Sequence, residues 1–409
     1  MLETIFKSRR KLKVVHESPL REHVNEYLAH LESLRYKRAT IKRYACILLC
    51  FAEFLDKQKK YHIRDLPKWI DPFLRLPQKE YYRRAKLTIV RSFVRRLQDR
   101  GVVCSPVITE SFSQTTLREY ETFLREKLSL AEDSIVCARH HCAKFLNHID
   151  TVGINDLKDL KPNIVQQFIQ NGNDRFSKSL ICCRYWALKK YISYLKMLGV
   201  LQVDFPSIFI APRIYRRQHS PQFLTRKEIR VMLSSIDRRT SIGKRDYAMF
   251  LLLSTYGLRG GEVARLKLDD IEWRTDVIHV RGRKAGNHTQ YPLTASVGES
   301  ILSYLKKARP PNHHRQIFLS HKAPHNPLTR SALTTVAKKY LSRAGLATDR
   351  RSSHTFRYSC AQRLFEDEFP IKVIADYLGH RSLRSTQRYV QIDLKHLREV
   401  AMNSSEDML

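Results

Sequence analysis

Hydrophobic residues recur every three and four positions through the first two hundred residues, and nothing there alternates with the period of two that a half-buried strand requires. LREHVNEYLAHLESL, ATIKRYACILLCFAEFL and YYRRAKLTIVRSFVRRLQDRGVV each carry one apolar stripe. Isolated helices of this length are marginal in water, so each stripe must be buried against another element. The same plan returns about 95 residues later. Leu20-Arg21-Glu22 is echoed by Leu117-Arg118-Glu119, Thr40-Ile41 by Ser134-Ile135, and Leu97 with Gly101-Val102 by Leu195 with Gly199-Val200. The pattern predicts a basic tail (residues 1–15) and two tandem helical modules, residues 16–108 and 109–210.

Charge says what these modules meet. The 409 residues hold 74 Lys plus Arg against 40 Asp plus Glu, a formal net charge of +34. Such a surface calls for a polyanionic partner. Residues 221–409 hold 33 basic and 18 acidic side chains and residues 1–220 hold 41 and 22, so the two parts carry +15 and +19. Charge spread along the whole chain fits a protein that lies along DNA better than one with a membrane-surface helix. Arg38, Lys42, Arg43, Arg84, Arg91, Arg95, Arg184 and Lys189, interleaved with tyrosines, are expected to touch backbone phosphates, which position a protein on a duplex without reading it.

No apolar run approaches the roughly 18 residues of a membrane span, and MLETIFKSRRKLKVV lacks the apolar core of a signal peptide. The expectation is a cytoplasmic protein acting on DNA, with no membrane partner. Eight cysteines, most in apolar, helix-like stretches, fit a reducing compartment, with Cys137 and Cys142 as buried thiols on a helix. Cys137-Ala-Arg-His-His-Cys142 has no second ligand pair at zinc-finger spacing, so no metal is expected.

A proline-bounded basic linker, residues 211–223, follows, with Arg213, Arg216 and Arg217 as further DNA-binding candidates. The remaining domain, residues 224–409, opens with Thr225 and Glu228 at capping-box spacing. An apolar helix through Tyr247–Ser254 ends near Gly257. Residues 275–293 alternate around Gly282, Gly286 and Asn287, which reads as a β-hairpin with a basic turn. The rest is helical, with Pro370 opening and Gly379 closing one helix. The fold class is mostly α with a small antiparallel β-sheet.

Four segments of this domain carry groups suited to phosphoryl transfer: Thr255-Tyr-Gly-Leu-Arg259-Gly-Gly-Glu262, Lys284 in the hairpin turn, His354-Thr-Phe-Arg357, and Leu378-Gly379-His380 followed nine residues later by Tyr389. A pair of forked, permanently charged guanidiniums suits the charge gathering on a transferred phosphodiester, and Arg259 and Arg357 fill that role. His354 and Arg357, three apart, share one helical face. Glu262 is within reach of Arg259 to orient it. Tyr389 is the candidate nucleophile. Its phenol has an ordinary pKa of about 10, so it needs a base or strongly positive surroundings; His354 supplies the first and the arginines the second. Arg283, beside Lys284, is a weaker proton donor because guanidinium holds its proton in proteins, and is kept as a DNA-binding candidate.

In order and spacing these segments closely resemble the tyrosine recombinases, the family that includes the phage integrases, over about 185 residues from Leu224 onward. The resemblance implies a site-specific recombinase that cuts and rejoins DNA through a 3′-phosphotyrosyl intermediate, without cofactor, metal or ATP. It implies that Lys284 protonates the departing 5′ oxygen and that the helical modules clamp double-stranded DNA, with two modules where the family usually has one. Four protomers would act on two duplexes, and the segment after Tyr389 would dock on a neighbour. His380 would hydrogen-bond the phosphate. Rival readings are a type IB topoisomerase, a non-catalytic DNA-binding protein on the same fold, and a transposase acting with related recombinases.

Overall fold

The computed structural model describes residues 2–6, 18, 20–58, 62–76, 80–103, 112–154, 156–170, 177–201, 223–281, 288–346 and 352–379. Backbone packing divides the chain into two compact units: Ile63–Pro67 with Leu97–Gln218, and Met1–His62, Lys68–Arg96 and His219–Leu409.

After a short α1 (Leu2–Ile5) come α2 (Arg21–Ser33), α3 (Arg38–Asp56), α4 (Leu66–Leu74) and α5 (Glu80–Asp99), then α6 (Phe112–Glu126), α7 (Glu132–Val152), α8 (Pro162–Gln170) and α9 (Lys178–Met197). The order long, long, short, long occurs twice, and a 3-10 turn, Ile63–Asp65 or Leu157–Asp159, precedes each short helix. Unusual backbone repeats with it: Arg35 and Ser129 have φ of 60° and 47° after the first helix of each set, and Gly101 and Gly199 have 72° and 69° after the last. So do buried residues. Tyr27 matches Tyr120, Leu31 matches Leu124, Ile41 matches Ile135, Phe51 matches Phe145, and Leu97 matches Leu195.

One expected echo fails. Leu20 stands just before α2, whereas Leu117 lies within α6, so their shared Leu-Arg-Glu is a coincidence of sequence. Of the two thiols expected to be buried on one helix, Cys142 is buried and Cys137 is intermediate.

Beyond residue 223 the capping box forms as expected. The Glu228 N–H donates to Thr225 Oγ1 at 3.2 Å and the Thr225 N–H to Glu228 Oε2 at 2.8 Å, opening α10 (Arg226–Ser234). The apolar helix is α11 (Ser241–Tyr256), longer than expected and buried along nearly its whole length. A helix buried on nearly all sides must be central. After α12 (Gly260–Arg265), strands β1 (Ile271–Glu272), β2 (Val277–Val280) and β3 (Thr289–Pro292) pair antiparallel in that order, with Ile278 opposite Tyr291. The two hairpin strands were expected and β1 was not; the basic turn, residues 282–287, lies outside the described residues. Then follow α13 (Ala295–Lys307), α14 (Arg330–Arg343), α15 (Ser353–Glu366) and α16 (Ile371–Leu378). α11 packs against α13 and α15, and the Phe250 ring meets those of Tyr340 and Phe356 at centroid distances of 5.5 and 5.3 Å.

A buried polar network ties α11 to α14. Arg245 donates from Nε and Nη2 to Asp246 Oδ1 at 2.9 and 2.7 Å, and the Tyr340 hydroxyl donates to Asp246 Oδ2 at 3.1 Å. A buried charge left without its partners is costly, so this network fixes the register of the two helices. Among the described residues, no helix is long and apolar enough to cross a membrane.

Candidate active site

The site grows from the end of α11. Gly257 closes that helix at φ +60°, and a Cβ there would lie 2.7 Å from Leu378 Cδ2, so both backbone and space demand glycine. The turn delivers Arg259 to the N-cap of α12. There Glu262 uses both carboxylate oxygens on one residue: Oε2 accepts the Arg259 N–H at 2.8 Å and Oε1 accepts its Nη1 at 2.8 Å. The Glu262 side chain is 3% exposed and that of Arg259 35%, so a buried carboxylate orients a guanidinium that still reaches solvent. The expected orienting role has its geometry.

Arg357 is 3% exposed. Its Nη1 donates to the Gly257 carbonyl at 2.9 Å and its Nη2 to the Leu378 carbonyl. These groups end α11 and α16, where helix carbonyls lack intrahelical partners and the backbone dipole favours a cation. Arg259 Nη2 reaches the Gly379 carbonyl at 3.5 Å. The two arginines thus stitch the ends of α11 and α16 together. Gly379 closes α16 at φ 64°, and Pro370 is its N-cap, as the sequence implied.

His354 lies one turn before Arg357 on α15, which Ser352 caps by accepting the His354 N–H at 3.3 Å. Burial holds its imidazole below the ordinary value, reinforced by Arg330, Arg357 and Arg259 and opposed by Glu262. The ring is therefore neutral near neutral pH, the form able to accept a proton. Arg259, Glu262, His354 and Arg357 come together at one place.

Lys284, Arg283, His380 and Tyr389 lie outside the described residues, as do Arg213, Arg216 and Arg217. Of the DNA-binding candidates in the helical modules, Arg38, Lys42, Arg43, Arg84, Arg91, Arg95 and Lys189 are exposed. Arg184 differs from these in its surroundings. It is 6% exposed, its guanidinium lies 5.2 Å from the Phe168 ring centroid, and its Nη1 donates to the Phe168 carbonyl at 3.2 Å. Its long stem and flat head pack inward against that ring in this structure.

Sequence reading missed Arg330, which acts on His354 more strongly than either expected arginine. Its only local signal is Thr329, which caps α14 by accepting the Ala332 N–H at 3.1 Å. Nothing else marks it among 74 basic residues.

Residues 222–396 match the phage integrase family. The chain belongs to that family, the tyrosine recombinases, enzymes that cut and rejoin DNA. A protein of Sinorhizobium fredii named as an integrase/recombinase, y4rA, is 33% identical over 287 residues, covering 70% of each chain. A second from that organism, y4gC, is 39% identical over 185 residues, 45% of this chain and 95% of its own. In fold the chain is similar to the XerH site-specific recombinase in a post-cleavage complex with its palindromic difH substrate: TM-score 0.55 and 19% identity over 83% of this chain and 96% of that one.

Proposed function

We propose that this recombinase works through Tyr389, whose phenolate attacks a DNA phosphodiester to give a 3′-phosphotyrosyl bond and a free 5′ hydroxyl. The observation that carries the reading is the convergence of Arg259, held by Glu262, with Arg357 and a neutral His354. The arginines take the non-bridging oxygens, where charge grows in the transition state. His354 accepts the phenol proton, His380 hydrogen-bonds the phosphate, and Lys284 protonates the leaving 5′ oxygen. The phosphotyrosyl link conserves the energy of the broken bond, so a hydroxyl from another strand reseals it without ATP. The helical modules, residues 16–108 and 109–210, clamp double-stranded DNA. Four copies, or this chain with related recombinases, assemble on two duplexes.

A substrate nicked beside the cleavage site traps the protein covalently on DNA in EDTA, and Tyr389→Phe abolishes the adduct while leaving binding intact. An adduct that persists in that variant removes Tyr389 from the mechanism. Lys284→Ala slows cleavage of ordinary DNA, and replacing the scissile 5′ oxygen with sulfur restores it, since a thiolate departs unprotonated. Arg259→Ala gains nothing from sulfur. The reverse pattern exchanges the two roles.

A further inference from the structure

We infer that Tyr291 is a positioning residue of this recombinase, its hydroxyl fixing the base of the β2–β3 hairpin against the end of α16 and so setting where Lys284 stands when the 5′ oxygen departs. This rests on the recombinase reading and deepens it by a residue that acts on the leaving group through Lys284.

Three tyrosines close a ring of hydrogen bonds among α11, β3 and α16. The hydroxyl of Tyr256, the last residue of α11, donates to the Pro292 carbonyl of β3 at 2.7 Å and accepts the Thr294 N–H at 3.1 Å. The hydroxyl of Tyr291 in β3 donates to the Tyr377 carbonyl of α16. That of Tyr377 donates to the Thr255 carbonyl of α11 at 3.3 Å, which brings the series back to its start. The aromatic rings follow the same path: Tyr256 and Tyr291 lie 5.3 Å apart at 45°, and Tyr291 and Tyr377 lie 5.2 Å apart at 80°. Each of these elements leads in sequence to a different part of the machinery: α11 to Arg259, the hairpin to Lys284, and α16 to His380 and Tyr389.

The Tyr291 side of this ring is the one that bears on Lys284. A two-stranded ribbon is marginally stable alone, so its placement depends on what grips its base. The pairing runs from Val277 opposite Pro292 at the base to Val280 opposite Thr289 at the end nearer the turn. Tyr291 is buried, and its hydroxyl lands one residue before the Leu378 carbonyl that Arg357 holds. Hairpin base and phosphate-binding arginine are therefore referenced to the same turn of α16. A general acid works only within hydrogen-bond reach of the oxygen it protonates, and a displacement of about 1 Å can cost about a hundredfold in rate. The arginines have other anchors, Arg259 in Glu262 and Arg357 in the Gly257 carbonyl. Loss of the Tyr291 hydroxyl therefore tells on proton delivery and spares phosphate binding.

The test follows covalent adduct formation by the full chain on a nicked recombination site, with the ordinary 5′ oxygen or with sulfur in its place. Tyr291→Phe keeps the ring and removes the hydroxyl. It slows cleavage of ordinary DNA about tenfold, and sulfur restores the wild-type rate, which also shows that the variant is folded. Added to Lys284→Ala, it slows that variant no further, because both act on one proton transfer. Tyr377→Phe, which loosens α16 from α11 and leaves the hold on β3, changes the rate on both substrates by the same factor. A wild-type rate for Tyr291→Phe on ordinary DNA, equal slowing on both substrates, an additive double variant, or sulfur rescue of Tyr377→Phe overturns the assignment. Sulfur that leaves Lys284→Ala slow faults the reading of Lys284 itself and removes this role with it; sulfur that restores Lys284→Ala and leaves Tyr291→Phe slow faults this assignment alone.

Discussion

Phe73 and Phe168 stand at corresponding places in the two helical modules, and each lies under a cation. Lys86 Nζ is 4.9 Å from the first ring centroid, and the Arg184 guanidinium is 5.2 Å from the second. The apolar packing repeats closely. Phe51 meets Phe73 at 5.1 Å and 61°, and Phe145 meets Phe168 at 5.2 Å and 60°. Tyr27 meets Phe93 at 5.4 Å and 68°, and Tyr120 meets Tyr191 at 5.0 Å and 71°. Polar groups repeat less well. The Tyr27 hydroxyl donates to Ser92 Oγ at 2.8 Å, whereas among the described residues the Tyr120 and Tyr191 hydroxyls have no hydrogen-bond partner. Ile47 in the first module corresponds to buried His141 in the second. Shape repeats where polar satisfaction does not, as expected where close packing constrains volume more tightly than it constrains each polar atom.

Four measurements bear on this comparison. Phe51→Ala and Phe145→Ala each cost about 3–5 kcal/mol in urea unfolding, because both empty the same buried station. Costs that differ by more than about 2 kcal/mol would show that the two cores are not equivalent. Arg184→Ala costs about 2 kcal/mol and Lys86→Ala under about 1, since only Arg184 is buried and bonded to a carbonyl. Neither changes the salt dependence of DNA binding if both cations serve the rings; a reduced slope for Arg184→Ala would return it to the phosphate ligands.

Ser92→Ala destabilises by about 1 kcal/mol by stranding the Tyr27 hydroxyl, while Tyr191→Phe is neutral or slightly stabilising because its hydroxyl has no partner to lose. The last effect vanishes at neutral pH. Burial pushes His141 down to about 4, against about 6.5 in an unfolded chain. The unfolded form binds the extra proton between those values, so stability falls as pH drops from about 6.5 to about 4. His141→Leu flattens that limb, and a limb left unchanged assigns it to other groups, of which His321, also pushed down to about 4, is one.

Much of this was legible in the sequence for stated reasons. Long helices announce themselves through many turns of one apolar stripe, and Thr225 with Glu228 through cap chemistry that acts within four residues. The Arg259 and Glu262 pair, and His354 with Arg357, are also local. The short helices α4 and α8 were not legible: each has nine residues, and α4 holds Pro72. Two residues of β1 show no period at all. Arg184 faces inward from a basic helix, and Arg330 bears on His354 from a position that looks like surface. Both depend on which neighbours the tertiary fold supplies, which no local pattern records.

The arginine stitch has a mechanical side. Arg357 grips the Leu378 carbonyl, and Arg259 approaches that of Gly379, the residue that closes α16. The end of α16 is held by two guanidiniums that come from two other elements. Displacing the end of α16 therefore breaks a hydrogen bond of each arginine.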